Sequence, residues 1–552
     1  IKMDRNTLAY SEIDTIDTPR STWTTSHTHK TTFNAGKLLV MYFDEDIIPG
    51  LTRKLKTSFV IRMQTPMYPT MDNLVFDYYW FKAPKYYYWE HFKNQMGQND
   101  LGAWSQTIEY TTPQIKVTTA YGVNDLAAYM GVPIGITGFE YDRLGLALYI
   151  DLWNNFFRSQ ALQAPIAIDK TDSTLTSDNT INTGYGLLPV CRKHDYFSSL
   201  LPEPQRSLPG MTGGVTLPLG ISAPVTVDTN FYTDNTKSIQ PSYYTRDLTK
   251  TRTLLNVSNN IISSGSTYAP GTISGSNQNV PLIADLTQAT AASLNALYLA
   301  TATQQLLQND ARLGTVYRDL LHQYGVTASS EATMLPEYLG GTSVPINIET
   351  VLQNSETSNS SPLGQTGAFS VTANVNEDFT KSFTTHDMLI CVGCVRVAQH
   401  TYQQGLARQF SRLRRLDHYW PSLAHIGNQP VYNREIFLQA DTVVDSDGNP
   451  VNDGVMGYKE AWQEYLYKVN RISGELLSTY AQSLDPWHYG DDYATLPVLG
   501  DAWIQEPIDN IDRTLAVQSS EANQFIGDFY FEEVNTAPIP INRIPGLVGL
   551  HY

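Results

Sequence analysis

The sequence predicts a mainly β protein whose last strands pair with its first, with helices and a long polar loop inserted between them. Three observations lead there. From residue 30 to about residue 115, short apolar runs are separated by Pro and Gly, the punctuation of strands and turns. Between residues 141 and 160 the apolar spacing changes to that of a helix. Strand-like runs then return at residues 386–399 and 525–532. Closing a sheet brings its last strands to its first, which favours a sandwich or jelly roll with large excursions over a string of independent domains.

Taken in order, Phe59, Ile61 and Met63 share one face of the first clear strand, opposite Ser58, Val60, Arg62 and Gln64. Residues 74–81 are apolar or aromatic except for Asp77 and stop short of Pro84, the pattern of a strand covered on both faces. Tyr149, Leu152, Trp153 and Phe156 fall at i, i+3, i+4 and i+7, which predicts a helix lying on a core. Residues 211–283 are dominated by Thr, Ser, Asn and Gly and hold no sustained period, so they read as an exposed insertion. A second helical block covers residues 285–324. Gly314 divides it, Tyr317, Leu320, Leu321 and Tyr324 share a face, and Gly325 stops it. Residues 386–399 are apolar on both faces, whereas Phe525, Phe529 and Phe531 oppose Asp528 and Glu532.

Charged residues make up 16% of the chain, so its polarity comes from Thr, Ser, Asn, Gln and 34 Tyr, which suit strands, turns and wide contact surfaces. A net charge of −17 counts against a protein that grips nucleic acid with its own surface, and a separate basic partner is expected for that task. Three cysteines cannot build a disulfide framework and suit a reducing compartment. No run approaches the roughly 20 apolar residues that span a bilayer, and Ile1–Arg5 begin no secretory segment. The expectation is a soluble protein made and assembled inside a cell, with no membrane insertion.

The sequence offers little chemistry. Gly36-Lys37-Leu38 lacks the spacing and hydroxyl of a phosphate loop, and GxGxxG, GxSxG and HExxH do not occur. Cys391 and Cys394 sit three apart on an expected buried strand, so their sulfurs face opposite ways and read as packing rather than zinc or redox groups. His27 and His29 project from one side of a strand as half of a metal site at most, and hydrogen bonding at a subunit boundary is the favoured role. The run from Asp445 to Asn449 lacks the Gly and Glu of a calcium loop and reads as a turn. No catalytic residue, metal or cofactor is expected.

The densest cationic cluster is Arg408, Arg412, Arg414 and Arg415, followed by His418, Tyr419 and Trp420. Interleaved basic and aromatic side chains suit phosphate contact and base stacking on single-stranded nucleic acid. They equally suit pairing with acids across protein interfaces, where Arg is favoured, and this second reading is preferred.

Several strings resemble the major capsid protein of the Microviridae, the small tailless single-stranded DNA phages, and especially its gokushovirus-like branch. They include residues 26–38, from Ser26-His27-Thr28-His29 to Gly36-Lys37-Leu38, then Met71-Asp72-Asn73 and Lys193-His194-Asp195-Tyr196-Phe197. Pro336-Glu337-Tyr338-Leu339-Gly340-Gly341, Thr401-Tyr402-Gln403-Gln404-Gly405, Gly500-Asp501-Ala502-Trp503 and Asp512-Arg513-Thr514-Leu515-Ala516 follow in order. Each alone is weak, but their shared order over nearly the whole chain is specific. The likeness lapses at residues 211–283.

The resemblance implies an eight-stranded antiparallel jelly roll of viral capsid type, sixty copies of which close into a T=1 icosahedral shell around circular single-stranded DNA. It implies one capsid domain over residues 1–552. Residues 26–115 and 365–552 supply most strands, 116–210 form a helix-containing insertion and 284–364 a helical insertion with loops. Residues 211–283 become a variable polar insertion that builds threefold protrusions and meets the host. The implied partners are copies of the chain itself, a small basic DNA-binding internal protein, a minor or pilot capsid protein, the genome and a bacterial surface receptor, with assembly in the host cytoplasm. Two rivals remain: a β-sandwich carbohydrate-binding or attachment protein using its many aromatics, and a glycoside hydrolase with paired carboxylates. The acids lie in no recognisable catalytic setting, which argues against the latter.

Overall fold

The computed structural model describes residues 20–99, 108–207, 294–355, 357 and 362–541, and between 208 and 293 only short strands. The chain forms two compact units. One is Gln205–Asn309; the other comprises the residues before and after it.

Eight strands of the larger unit form two four-stranded antiparallel sheets. They are β1 (Ser21–Phe33), β2 (Leu39–Ile47), β3 (Thr52–Met63), β4 (Leu74–Pro84), β5 (Glu337–Pro345), β6 (Thr372–Ser382), β7 (Asp387–Val397) and β8 (Phe525–Ala537). The first sheet runs β1-β8-β3-β6 and the second β5-β4-β7-β2. The last strand therefore pairs with the first, as the sequence predicts, and Phe33 faces Phe525 in register.

Alternation decides which side chains meet between the sheets. In β3, Leu55, Thr57, Phe59, Ile61 and Met63 are buried, and in β8 Phe525, Phe529 and Phe531 are buried while their neighbours face outward. Aromatic rings join the layers: Phe59 lies 5.2 Å from Phe76, Phe531 5.8 Å from Trp80, and Tyr42 5.1 Å from Phe531. Carboxylates also span the gap, Glu533 on β8 accepting from Tyr42 Oη on β2 at 2.7 Å among them. Asp378 is the extra residue of a bulge in β6 and accepts from Thr57 Oγ1 on β3, from Tyr78 Oη at 2.8 Å and Trp80 Nε1 at 2.9 Å on β4, and from Asn376 Nδ2 at 2.8 Å.

The outer faces differ. Helix α1 (Leu144–Leu152) and the wider turn Trp153–Phe157 cover the second sheet, with Phe156 4.8 Å from Phe81 and Phe157 5.6 Å from Tyr79. This is why β4 and β7 are apolar on both faces. Helix α1 is buried nearly all round rather than on the single stripe expected, and a Cβ on Gly145 would run into the Phe43 ring. Among the described residues the outer face of the first sheet stays open and carries exposed ion pairs such as Lys54–Glu377 at 3.1 Å.

Two further differences from the sequence reading have simple causes. Strand β5 falls in the stretch read as helices and loops, because Gly340 and Gly341 supply no side chains to an alternating pattern and Pro336 and Pro345 look like loop punctuation. Helices α2 (Leu294–Leu313) and α3 (Tyr317–His322) flank Gly314, whose φ is +102°, as expected. The shared face of Tyr317 and Tyr324 is not buried, however: α3 is six residues long and Tyr324, 83% exposed, lies beyond its end.

In the smaller unit, Leu254–Ser258 pairs with Ile261–Ser264 and Ser242–Tyr244, and Val225–Val227 pairs with Leu282–Ala284. Residues 211–283 thus contain short strands where their composition shows no period. The expected exposure of this insertion lies outside the described residues.

Candidate functional site

Between β7 and β8 the chain makes an excursion of turns and short helices with one hairpin, Asn428–Tyr432 against Val455–Glu460. So irregular a segment needs its own core, and it has one: Tyr196, Phe197, Leu200, Tyr402, Val431, Ile436, Met456 and Trp503. The strings at 193–197, 401–405 and 500–503 meet there. Tyr402 lies 4.7 Å from Phe197 and 5.9 Å from Trp503, and its hydroxyl donates to Asp195 Oδ2 at 2.8 Å.

A buried charge network ties this second core to the end of β7. Arg192 Nη1 donates to Asp491 Oδ2 at 2.7 Å, with side chains 4% and 2% exposed. His400 Nε2 lies 3.1 Å from Glu506 Oε2, and His400 Nδ1 lies 3.8 Å from Asp491. Burial alone would push the His400 imidazole down, but Glu506 and Asp491 carry it up to about 10. Burial would likewise raise the Asp491 carboxyl, and Arg192 with His400 holds it well below the usual carboxylate range. Sequence reading missed all four residues, since no motif spacing links positions 192, 400, 491 and 506.

The predicted arginines sit on this platform and divide into two pairs. Arg408 donates to Pro430 O at 2.8 Å and Glu435 Oε1 at 3.2 Å, and its Nε lies 3.7 Å from Glu464. Arg412 donates to the same Glu464 at 3.1 Å, with its guanidinium 4.0 Å from the Tyr465 ring centre. Chain contact here is tight: a Cβ on Gly405 would collide with the Glu435 carbonyl. Both arginines are thus committed to acids of their own chain.

Arg414 and Arg415 are exposed and make no ion pair among the described residues. Arg415 lies 5.0 Å from the Trp420 ring, whose Nε1 donates to Arg415 O at 3.0 Å. Around them Phe410, Leu413, Leu416 and Ile426 stand in the open, Leu413 being 86% exposed. Leu413, Leu416 and Ile426 border a groove of about 550 Å³. Exposed apolar, aromatic and Arg side chains gathered in one place have the make-up of an interface core.

The other sequence candidates are placed as follows. His27 lies 3.8 Å from Glu533 and 5.2 Å from the Phe531 ring, and His29 Nδ1 is 2.8 Å from Met41 O. Cys391 and Cys394 are buried in β7, where burial raises both thiols, Cys394 to about 11. Asp445 Oδ1 accepts the amides of Asp447 and Asn449 at 2.9 Å each, closing a turn at Gly448, where φ is +82°.

The family model described as capsid protein (F protein) matches residues 11–547. The chain belongs to the phage F-type capsid protein family. This capsid protein is 31% identical to capsid protein VP1 of Chlamydia phage 1, over 98% of the present chain and 97% of that protein. It is 31% identical to VP1 of Bdellovibrio phage phiMH2K over 99% and 98%, and 32% identical to VP1 of Spiroplasma virus 4 over 94% of each chain. The capsid protein is therefore a structural protein of a Microviridae-type virion and not an enzyme. No helix among its described residues is long and apolar enough to cross a membrane.

Proposed function

We propose that the protein is the subunit of a sixty-copy, T=1 icosahedral shell that encloses a circular single-stranded DNA genome. Its exposed segment 410–426 is a subunit contact in that shell. The observation that carries the reading is this patch of Phe410, Leu413, Leu416 and Trp420, open to solvent on a platform rigidly held by a second core. Burying such side chains against another copy stabilises by about 25 cal/mol per Å² removed from water.

The jelly roll is supported by the strand order. Successive strands cross between the two sheets at every connection except β4 to β5, and the final strand inserts between the first and the third. Charge supports a divided labour inside the shell. Sixty copies at −17 would carry a formal charge of about −1000, which repels a polyanion and calls for a small basic internal protein. A pilot protein, a host receptor and assembly in the host cytoplasm belong to the same reading.

Negative-stain images of the purified protein are expected to contain closed round particles of one size. Leu413→Glu combined with Leu416→Glu is expected to leave a folded subunit that forms none. A stable wild-type monomer with affinity for sugars defeats the reading in favour of a carbohydrate-binding protein. For residues 211–283, an outward position at the host contact is tested by deletion, which should spare particles and impair adsorption; loss of particles alone makes the insertion structural.

A second reading of the arginine segment rests on Arg414 and Arg415, which make no ion pair among the described residues and stand beside Trp420, suiting contact with the packaged strand. Nucleotides ordered against these side chains in an intact particle favour it; acids of a neighbouring subunit there exclude it.

A further inference from the structure

Away from the arginine segment, a cavity of about 540 Å³ opens between residues 193–199, the end of β7 and residues 459–470. Its wall runs against the charge of the chain. Lys193, Lys459 and Lys468 line it with His194, and Asp195 is the one lining carboxylate among the described residues. That carboxylate is already engaged, accepting the amides of Phe197 at 2.9 Å and Ser198 at 2.6 Å and the Tyr402 hydroxyl at 2.8 Å.

The nearby acids offset the wall only in part. Asp77 is shared by Arg396 at 2.6 Å and Lys193 at 3.5 Å, so one carboxylate serves two cations. Glu460, next to Lys459, pairs with Arg312 at 3.1 Å. Lys459 donates to the Ser199 hydroxyl, and neither it nor Lys468 has an ion-pair partner among the described residues. Burial lowers the Lys459 ammonium against the opposing pull of Glu460 and Asp195, and burial followed by the charge of Lys459 lowers the His194 imidazole. Gln399 and Gln463 add amide donors to the rim.

Ammonium groups that converge from separate segments with donors in excess favour a compact anion with several acceptor oxygens. Tyr467, stacked on Tyr196 at 5.6 Å, forms a further wall, and the volume leaves room for a ring beside the anion. We propose that this cavity is a phosphate site, in which Lys459 and Lys468 hold the phosphate of a nucleotide or of inorganic phosphate, with Lys193 supporting the charge. The site stands on the cavity's chemistry; only its nucleotide source rests on the shell reading.

The test is calorimetric titration of assembled protein, freed of phosphate, with inorganic phosphate and separately with oligothymidylate across a salt series. Phosphate is expected to bind and to compete with the oligonucleotide. Lys468→Gln, at an exposed position without an ion pair, should weaken phosphate binding roughly tenfold, as loss of a charged hydrogen bond does. Lys459→Gln should do the same, and each should lower the oligonucleotide's salt slope by about one. Phosphate binding without oligonucleotide binding assigns the site to the free anion. No phosphate binding, or wild-type affinity in both variants, overturns the proposal. Particle images of each variant separate loss of this site from failure of the shell.

Discussion

Asp491→Ala is expected to produce the largest loss of stability of any single side-chain truncation at the platform. Asp491 is 2% exposed and accepts from Arg192 at 2.7 Å, from Tyr493 at 2.9 Å and from the Asn510 amide, while its own backbone amide donates to Thr401 O at 2.8 Å. Removing the carboxylate leaves the Arg192 guanidinium, 4% exposed, without its counter-charge and strands two neutral donors. Breaking a buried pair in this way costs about 3–5 kcal/mol, a large part of the 5–15 kcal/mol that stabilises a typical domain. Urea unfolding should shift to markedly lower denaturant, and particle yield should fall because the arginine segment loses its support. Asp491→Asn, which keeps the hydrogen-bond acceptor but not the charge, should fall between. A variant that unfolds within about 1 kcal/mol of the parent shows that the network does not hold the platform.

The second large effect is alkaline. His400 lies between Glu506 and Asp491, and Glu506 also accepts the Val397 amide at 3.0 Å, so the imidazolium is clamped at the junction of β7 and the second core. Its folded pKa of about 10 lies above the 6.5 of an ordinary histidine. A proton held more tightly by the folded chain stabilises that chain, so this contribution is whole below pH 6.5. It drains away as the pH rises from 6.5 to 10. The loss over that window is expected to be a few kcal/mol, because each tenfold gain in proton affinity on folding contributes at most about 1.4 kcal/mol. Urea midpoints measured from pH 6 to pH 10 should fall steadily. His400→Gln should start lower and vary less over the same range. A parent protein whose midpoint is flat to pH 10 shows that His400 is not held in its charged form.

Much of the sandwich could be read directly from alternation. Phe59, Ile61 and Met63 on β3, and Phe525, Phe529 and Phe531 on β8, point inward as their spacing requires, because a strand turns each successive side chain to the opposite face. Strand β5 escaped because glycine carries no side chain to alternate. Helix α1 was found by its period but not by its environment, since periodicity places a helix and cannot tell how many sides its neighbours will cover. The family strings marked which residues mattered without saying why. Tyr196, Tyr402 and Trp503 gain their meaning only when three distant segments pack into one core.

The arginine cluster makes the same division at one site. Sequence identified four arginines beside aromatic rings and left two uses open. Folding brought Glu435 and Glu464 from 27 and 52 residues further along to engage Arg408 and Arg412, leaving Arg414, Arg415 and Trp420 at the surface. The sequence by itself determined the β-rich class, the pairing of last strand with first, the absence of familiar catalytic motifs and the resemblance to a capsid family. Tertiary structure alone decided the buried network of Arg192, His400, Asp491 and Glu506 and the split among the arginines. The physical reason is range. Side-chain period is local and repeats every two or four residues, whereas an ion pair depends on distance in space, which only the folded chain sets.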